Sequence, residues 1–99
     1  VDCNITIEEL RQLTYEKYGT TCKYLNRVLK IDNMVYDHIV PITKGGTSNI
    51  ENIQIICRAA NNIKGSLIES DLYILLNWLD TISEELRTDI RIRLAGGKR

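Results

Sequence analysis

His38 is the chain's single histidine, and Asp37 directly precedes it. An imidazole changes charge near neutral pH, so His38 is the natural candidate for moving a proton. A lone histidine is nevertheless more often a structural hydrogen-bonding group, and Asp-His alone assigns no chemistry. The longer run carries more: Asp37-His38-Ile39-Val40-Pro41, Gly45-Gly46, Asn52-Ile53-Gln54, Cys57, and finally Asn61-Asn62-Ile63-Lys64-Gly65. Asp37 and the adjacent amides Asn61 and Asn62 offer oxygen donors of the kind hard cations prefer. Arg58, Lys64 and Lys44 are cations suited to phosphate. The three cysteines, Cys3, Cys22 and Cys57, are an odd number at wide spacings, which argues against a disulfide framework and fits a reducing compartment.

These residues need elements to hold them. Thr6, Glu9, Ile5 and Leu10 have the spacing of a capping box with a hydrophobic staple, so a helix is expected to start there. Its apolar set is Ile7, Leu10, Leu13 or Thr14, and Tyr18, and Gly19 sits where a left-handed C-terminal residue is wanted. Two or three short strands are expected between Thr20 and Val40, with Asn26-Arg27 and Asp32-Asn33 as turns and Pro41 closing the last. Lys44 to Asn49 is a polar loop, Ile53 to Ile56 a returning strand, and Arg58 to Lys64 a short helix stopped by Gly65. Ser70 is expected to cap a helix carrying Leu72, Leu75, Leu76 and Leu79. Thr81-Ile82-Ser83-Glu84 offers a cap for another carrying Leu86, Ile90 and Leu94. Gly96-Gly97-Lys98-Arg99 reads as a frayed or linking tail.

The run from Asp37 to Gly65 closely resembles the HNH endonuclease family, and the resemblance covers Tyr18 to Gly65, about half the chain. It implies an α+β fold with a ββα-metal core of short antiparallel strands, here with an N-terminal helix and two C-terminal helices. Strand, loop, returning strand and helix would bring Asp37, His38 and Asn61 together across 24 positions of chain. Phosphodiester hydrolysis needs an activated water, charge stabilisation and help for the leaving oxygen. The resemblance assigns His38 as general base and Asn52 as the side chain that bonds the loop backbone and orients the histidine. Asp37 and Asn61 would hold one divalent cation, Mg²⁺ or Mn²⁺. Asn62 is the neighbouring alternative, but Asn-x-x-Lys-Gly is the family's spacing and favours Asn61. The third family position is often histidine, so this is an H-N-N variant.

Many relatives carry two C-x-x-C pairs that bind a structural zinc, and here both pairs are half missing. Leu25 stands where a partner for Cys22 would be, and Ala60 where a partner for Cys57 would be. Two thiolates do not satisfy a four-coordinate site, so no structural zinc is expected and an apolar plug is expected in its place. Cys22 and Cys57 are read as remnants, buried thiols by default, although they could lie near enough to oxidise to each other. Cys3 could supply a third thiolate only if the N-terminus folded back.

Composition sets the outer limits. The chain's 99 residues make one domain, 1–99, with the motif core at 20–65 and a helical extension at 66–95. It is 43% hydrophobic and 26% charged, and its formal net charge is zero. Between positions 17 and 64, however, seven bases face three acids, a local excess that suits contact with phosphate. No apolar run approaches a membrane span, and the first residues lack the pattern of a secretory signal. An initial Val suggests an excised fragment or a trimmed tag. The expected setting is intracellular: cytoplasmic, nucleoid-associated, or expressed from a phage or mobile element. Tyr15, Tyr18, Tyr24, Tyr36, Tyr73 and Trp78 read as packing residues rather than base-stacking platforms. The mixed charges Glu84, Glu85, Arg87, Asp89, Arg91 and Arg93 read as a solvated helix face. DNA is the expected partner, with no membrane involved. The competing readings are a catalytically inactive DNA-binding or docking module of a larger nuclease or phage packaging assembly, and a structural helical adaptor.

Overall fold

The computed structural model describes residues 5–82, 84–94 and 96. Cys3, Ser83 and Gly97 to Arg99 lie outside the described residues, and with them the third-thiolate and tail expectations.

Helix α1 spans Ile7–Lys17 and starts on the expected capping box. Thr6 Oγ1 accepts from the Glu9 N–H at 3.1 Å, and Glu9 Oε1 accepts from the Thr6 N–H at 2.9 Å. Gly19, at φ 83°, turns the chain so that its N–H reaches the Leu29 carbonyl at 2.8 Å. The apolar set of α1 is less buried than its period implies. Ile7 and Tyr18 are exposed, Leu13 packs on the core, and Thr14 Oγ1 ties the helix to the Tyr36 hydroxyl at 2.7 Å.

The segment expected to hold two or three strands contains one, β1 (Met34–His38), and a single isolated bridge between Thr21 and Val28. The reason is the tight Cys22–Arg27 loop, where Cys22 N–H bonds Arg27 O and Arg27 N–H bonds Leu25 O, both at 2.8 Å. A loop that closes on itself leaves too little extended chain for a second strand. β1 pairs antiparallel with β2 (Ile53–Cys57), in the register Met34 with Cys57 through His38 with Ile53. Two 3₁₀ turns, Ile42–Lys44 and Ile50–Asn52, shape the connection. Helix α2 (Arg58–Lys64) follows β2 without a break and runs back along the hairpin to Gly65.

The C-terminal region forms two helices, α3 (Glu69–Thr81) and α4 (Glu84–Leu94), which pack on each other and on α2. One capping expectation is corrected. Ile68 is the N-cap of α3 and makes no side-chain bond, so Ser70 lies in the first turn, where Glu69 and Asp71 meet the helix dipole. Thr81 ends α3, its hydroxyl donating to Trp78 O at 2.7 Å, and the cap expected for α4 falls on Ser83, outside the described residues.

The fold is therefore α+β, a two-stranded antiparallel sheet with four α-helices among the described residues. Its core has two parts joined by Tyr24 and Leu25, which pack on both. One holds Cys22, Leu29, Ile55, Ile56, Cys57 and Ala60; the other holds Ile63, Leu72, Leu76 and Leu79. Leu25 and Ala60 thus pack with the two thiols as the plug reading expects. Of the six aromatic residues only Tyr24 is half-buried; the rest are exposed, from Tyr73 at 42% to Tyr15 at 83%. Arg87 and Arg91 do not simply face solvent, since both reach Asp80 on α3, at 3.6 and 3.0 Å. No helix among the described residues is long and apolar enough to cross a membrane.

Candidate active site

Asp37 and His38 end β1, and side chains alternate across a strand, so the two leave the backbone on opposite sides. Asp37 pairs in register with Gln54 and shares its face, where Gln54 Nε2 donates to Asp37 Oδ2 at 2.8 Å. Because α2 returns along the hairpin, its last residue arrives at the same place. Lys64 Nζ lies 3.0 Å from Asp37 Oδ2 and donates to the His38 carbonyl at 2.9 Å.

This corrects the expectation for Lys64. The residue is 0% exposed, and its ammonium is consumed inside the fold rather than offered to phosphate. A buried charge is tolerated only when paired, and Asp37, 8% exposed, is that pair. Arg58 is also not part of this site. It begins α2 beside the opposite end of the hairpin, where Met34 meets Cys57, and its guanidinium donates to Asp32 O at 2.9 Å. Four strand steps separate that end from His38, about 13 Å. Lys44 differs from both: exposed in the first 3₁₀ turn, it donates through Nζ to Ser66 O at 2.6 Å.

His38 and Asn61, from β1 and α2, line one open cavity of about 330 Å³ together with Asp37, Lys64, Thr43 and Ser66. Asn61 precedes Lys64 by three residues and so shares its helix face. Asn62 is exposed and does not line the cavity. His38 Nε2 lies 3.2 Å from Ser48 Oγ, a contact that depends on the ring's tautomer.

Asn52 grips the loop between the strands. Its Oδ1 accepts from Val40 N–H at 2.9 Å, while its Nδ2 donates to Val40 O at 3.0 Å and Thr47 O at 2.8 Å. Three of the four hydrogen-bonding directions of that amide, including both of its N–H donors, are spent on the segment following His38. Gly46 passes so close beneath that a Cβ there would sit 1.8 Å from Val40 O. Only glycine fits, which gives the Gly45-Gly46 pair a physical role: Gly45, at φ 89°, turns the chain and Gly46 permits the close approach.

At the other pole of the hairpin, Cys57 N–H points at Cys22 Sγ, 3.5 Å away, and both thiols are free and buried. The hydrogen bond between the thiols makes Cys22 the more acidic and raises Cys57, a rise to which burial adds.

The family model for HNH endonuclease matches residues 20–67. The chain belongs to the HNH endonuclease family. No curated protein matches the chain. The HNH segment spans the Cys22 loop, both strands and α2, so family membership supports nuclease chemistry at the general level. The sequence pointed to no part in the site for Ser48, Glu69 and Gln54, or for Tyr24, which it marked only as a packing residue. Of these only Gln54 left a signal, as the one polar residue of an otherwise apolar strand. Among the described residues no three His, Cys, Asp or Glu side chains cluster as a metal site.

Proposed function

We propose that this HNH domain is a divalent-cation-dependent endonuclease that hydrolyses DNA phosphodiesters. The observation that carries the reading is the single open cavity lined by Asp37, His38 and Asn61, with the His38 loop clasped by Asn52. The donor chemistry fits the cation the family implies. Mg²⁺ and Mn²⁺ favour oxygen ligands, and Mg²⁺ retains several waters, so one carboxylate and one amide are a sufficient protein share. When bound, such an ion supplies Lewis-acid stabilisation of charge on the phosphate.

The chain's own residues do the rest. The neutral His38 imidazole accepts a proton from the attacking water at a ring nitrogen, with Ser48 as the neighbour that selects the tautomer. Asn52 keeps the backbone after His38 from drifting, which holds the imidazole where the cavity opens. Asp37 and Asn61 would hold the cation, and Lys64 pairs with the Asp37 carboxylate from inside the fold. The exposed Lys44 meets the DNA backbone.

Conversion of supercoiled plasmid to nicked or linear forms with Mg²⁺ or Mn²⁺, lost in excess chelator, tests the reading. Cleavage that persists in chelator would remove it. One observation favours a second reading, a DNA-binding or docking module without catalysis: the Asp37 carboxylate already has an internal cation in Lys64. Salt-sensitive DNA binding with no cleavage under any divalent ion would decide for it.

A further inference from the structure

Gln54 is buried opposite Asp37, and its Nε2 does two things at once. It donates to Asp37 Oδ2 at 2.8 Å and to the Tyr24 hydroxyl at 3.0 Å. Tyr24 in turn donates to Glu69 Oε1 at 2.7 Å, and the same oxygen is 2.7 Å from Lys23 Nζ. A row of polar groups therefore runs from the surface of α3, through the Cys22–Arg27 loop, to the candidate metal ligand.

The direction of every bond in this row is determined. An ionised carboxylate only accepts, a phenol has one proton to give, and a primary amide has two. Glu69 is held ionised by its hydrogen bonds from Lys23 and Tyr24, which lower its pKa. Burial raises the Tyr24 pKa, so the phenol keeps its proton. That proton goes to Glu69, leaving the phenol oxygen to accept from Gln54, whose other amide hydrogen goes to Asp37. Turning the Gln54 amide over would set its oxygen against the Asp37 carboxylate, acceptor facing acceptor. Both ends of the row thus lock the amide. The consequence for Asp37 is that Oδ2 is held from two sides, by Gln54 and Lys64. Oδ1 has only the longer 3.4 Å contact to Lys64, which leaves it lone pairs for an outside cation.

The geometry points to Gln54 as a positioning residue for the Asp37 carboxylate, held in orientation by Tyr24 and Glu69, so that the start of α3 belongs to the working site. This rests on the reading that Asp37 holds a divalent cation. Partners that orient a metal ligand commonly change metal affinity about 10–100-fold when removed.

The test is Mn²⁺ binding to the full chain, followed by the electron paramagnetic resonance signal of free Mn²⁺, with the melting temperature measured in parallel. Gln54→Met keeps the volume and removes both donors; Tyr24→Phe leaves Gln54 in place but unlocked. Gln54→Met is expected to weaken Mn²⁺ binding about 10-fold or more, and Tyr24→Phe severalfold. A packing role alone would lower the melting temperature of both and leave Mn²⁺ affinity at the parental value, overturning the proposal. If Gln54→Met does not fold, Tyr24→Phe decides on the same readout. Asp37→Ala separates the two claims. Loss of Mn²⁺ binding in Asp37→Ala with parental affinity in both other variants overturns only the positioning role. No binding by the parent, or parental binding by Asp37→Ala, overturns the metal reading and this proposal with it.

Discussion

The Lys64 ammonium is enclosed by Asp37 and the His38 carbonyl, so its removal would strand a carboxylate in the interior with Gln54 as its remaining partner. Leaving one half of a buried ion pair typically costs about 3–5 kcal/mol, and Lys64→Met is expected to lose stability on that scale in urea denaturation. Stability unchanged from the parent would mean that water reaches the pair. The exposed Lys44→Ala should instead keep stability and weaken DNA binding of all sequences alike. His38 poses a different question, because its ring is engaged by a single hydroxyl and its removal strands no charge. His38→Ala should lose about 10²–10⁴-fold in plasmid cleavage, the usual worth of general-base catalysis, while DNA affinity in a gel-shift assay holds. Equal cleavage by the variant would remove His38 from the proton-transfer role.

At the scale of elements, the loop between the strands is held by backbone contacts that only one amide and one glycine can make. Asn52→Ala removes three hydrogen bonds, and net values of about 0.5–1.5 kcal/mol each make it destabilising as well as damaging to cleavage. Gly46→Ala should be at least as severe, since the new methyl meets Val40 O, a backbone atom with no rotamer to yield. Both are checked by melting temperature together with plasmid nicking. Parental values for Gly46→Ala would show that the loop can open without cost.

Across the whole molecule, two features tie the HNH segment to the helices after it. The first is the apolar junction of Tyr24 and Leu25 with both parts of the core. With Leu25 and Ala60 packed beside Cys22 and Cys57, purified protein should contain well under one zinc per chain, and chelator should barely change its melting temperature. Stoichiometric zinc by elemental analysis would show the plug to be a metal site. The second is the Lys23–Glu69 pair with the Tyr24 hydroxyl. Those partners lower the Glu69 pKa in the fold, so its stabilisation is complete above the ordinary value of 4.5 and disappears as pH falls through the lower folded-state value. Melting temperatures from about pH 6 down to about pH 3 should fall more steeply for the parent than for Glu69→Gln. Parallel curves would place the acid sensitivity elsewhere.

Local signals were legible in the chain because they act within a turn or two of backbone. The Thr6–Glu9 box, the left-handed Gly19, and the stop at Gly65 depend on neighbours a few residues away. The spacing from Asp37 to Gly65 was equally legible, since strand, loop, strand and helix must return to one point whatever surrounds them. Where each side chain's polar atoms end depended on contacts across tens of residues. Lys64 and Arg58 are both basic residues on one short helix, and nothing local distinguishes them. One is carried into the fold beside Asp37 because α2 runs back along the hairpin; the other remains exposed at the hairpin's far end. The row from Glu69 through Tyr24 and Gln54 to Asp37 joins four segments of chain. Sequence determined that an Asp-His strand end would meet Asn61; tertiary packing alone decided which charges surround that meeting, because burial and hydrogen-bond partnership are properties of register and helix direction rather than of residue type.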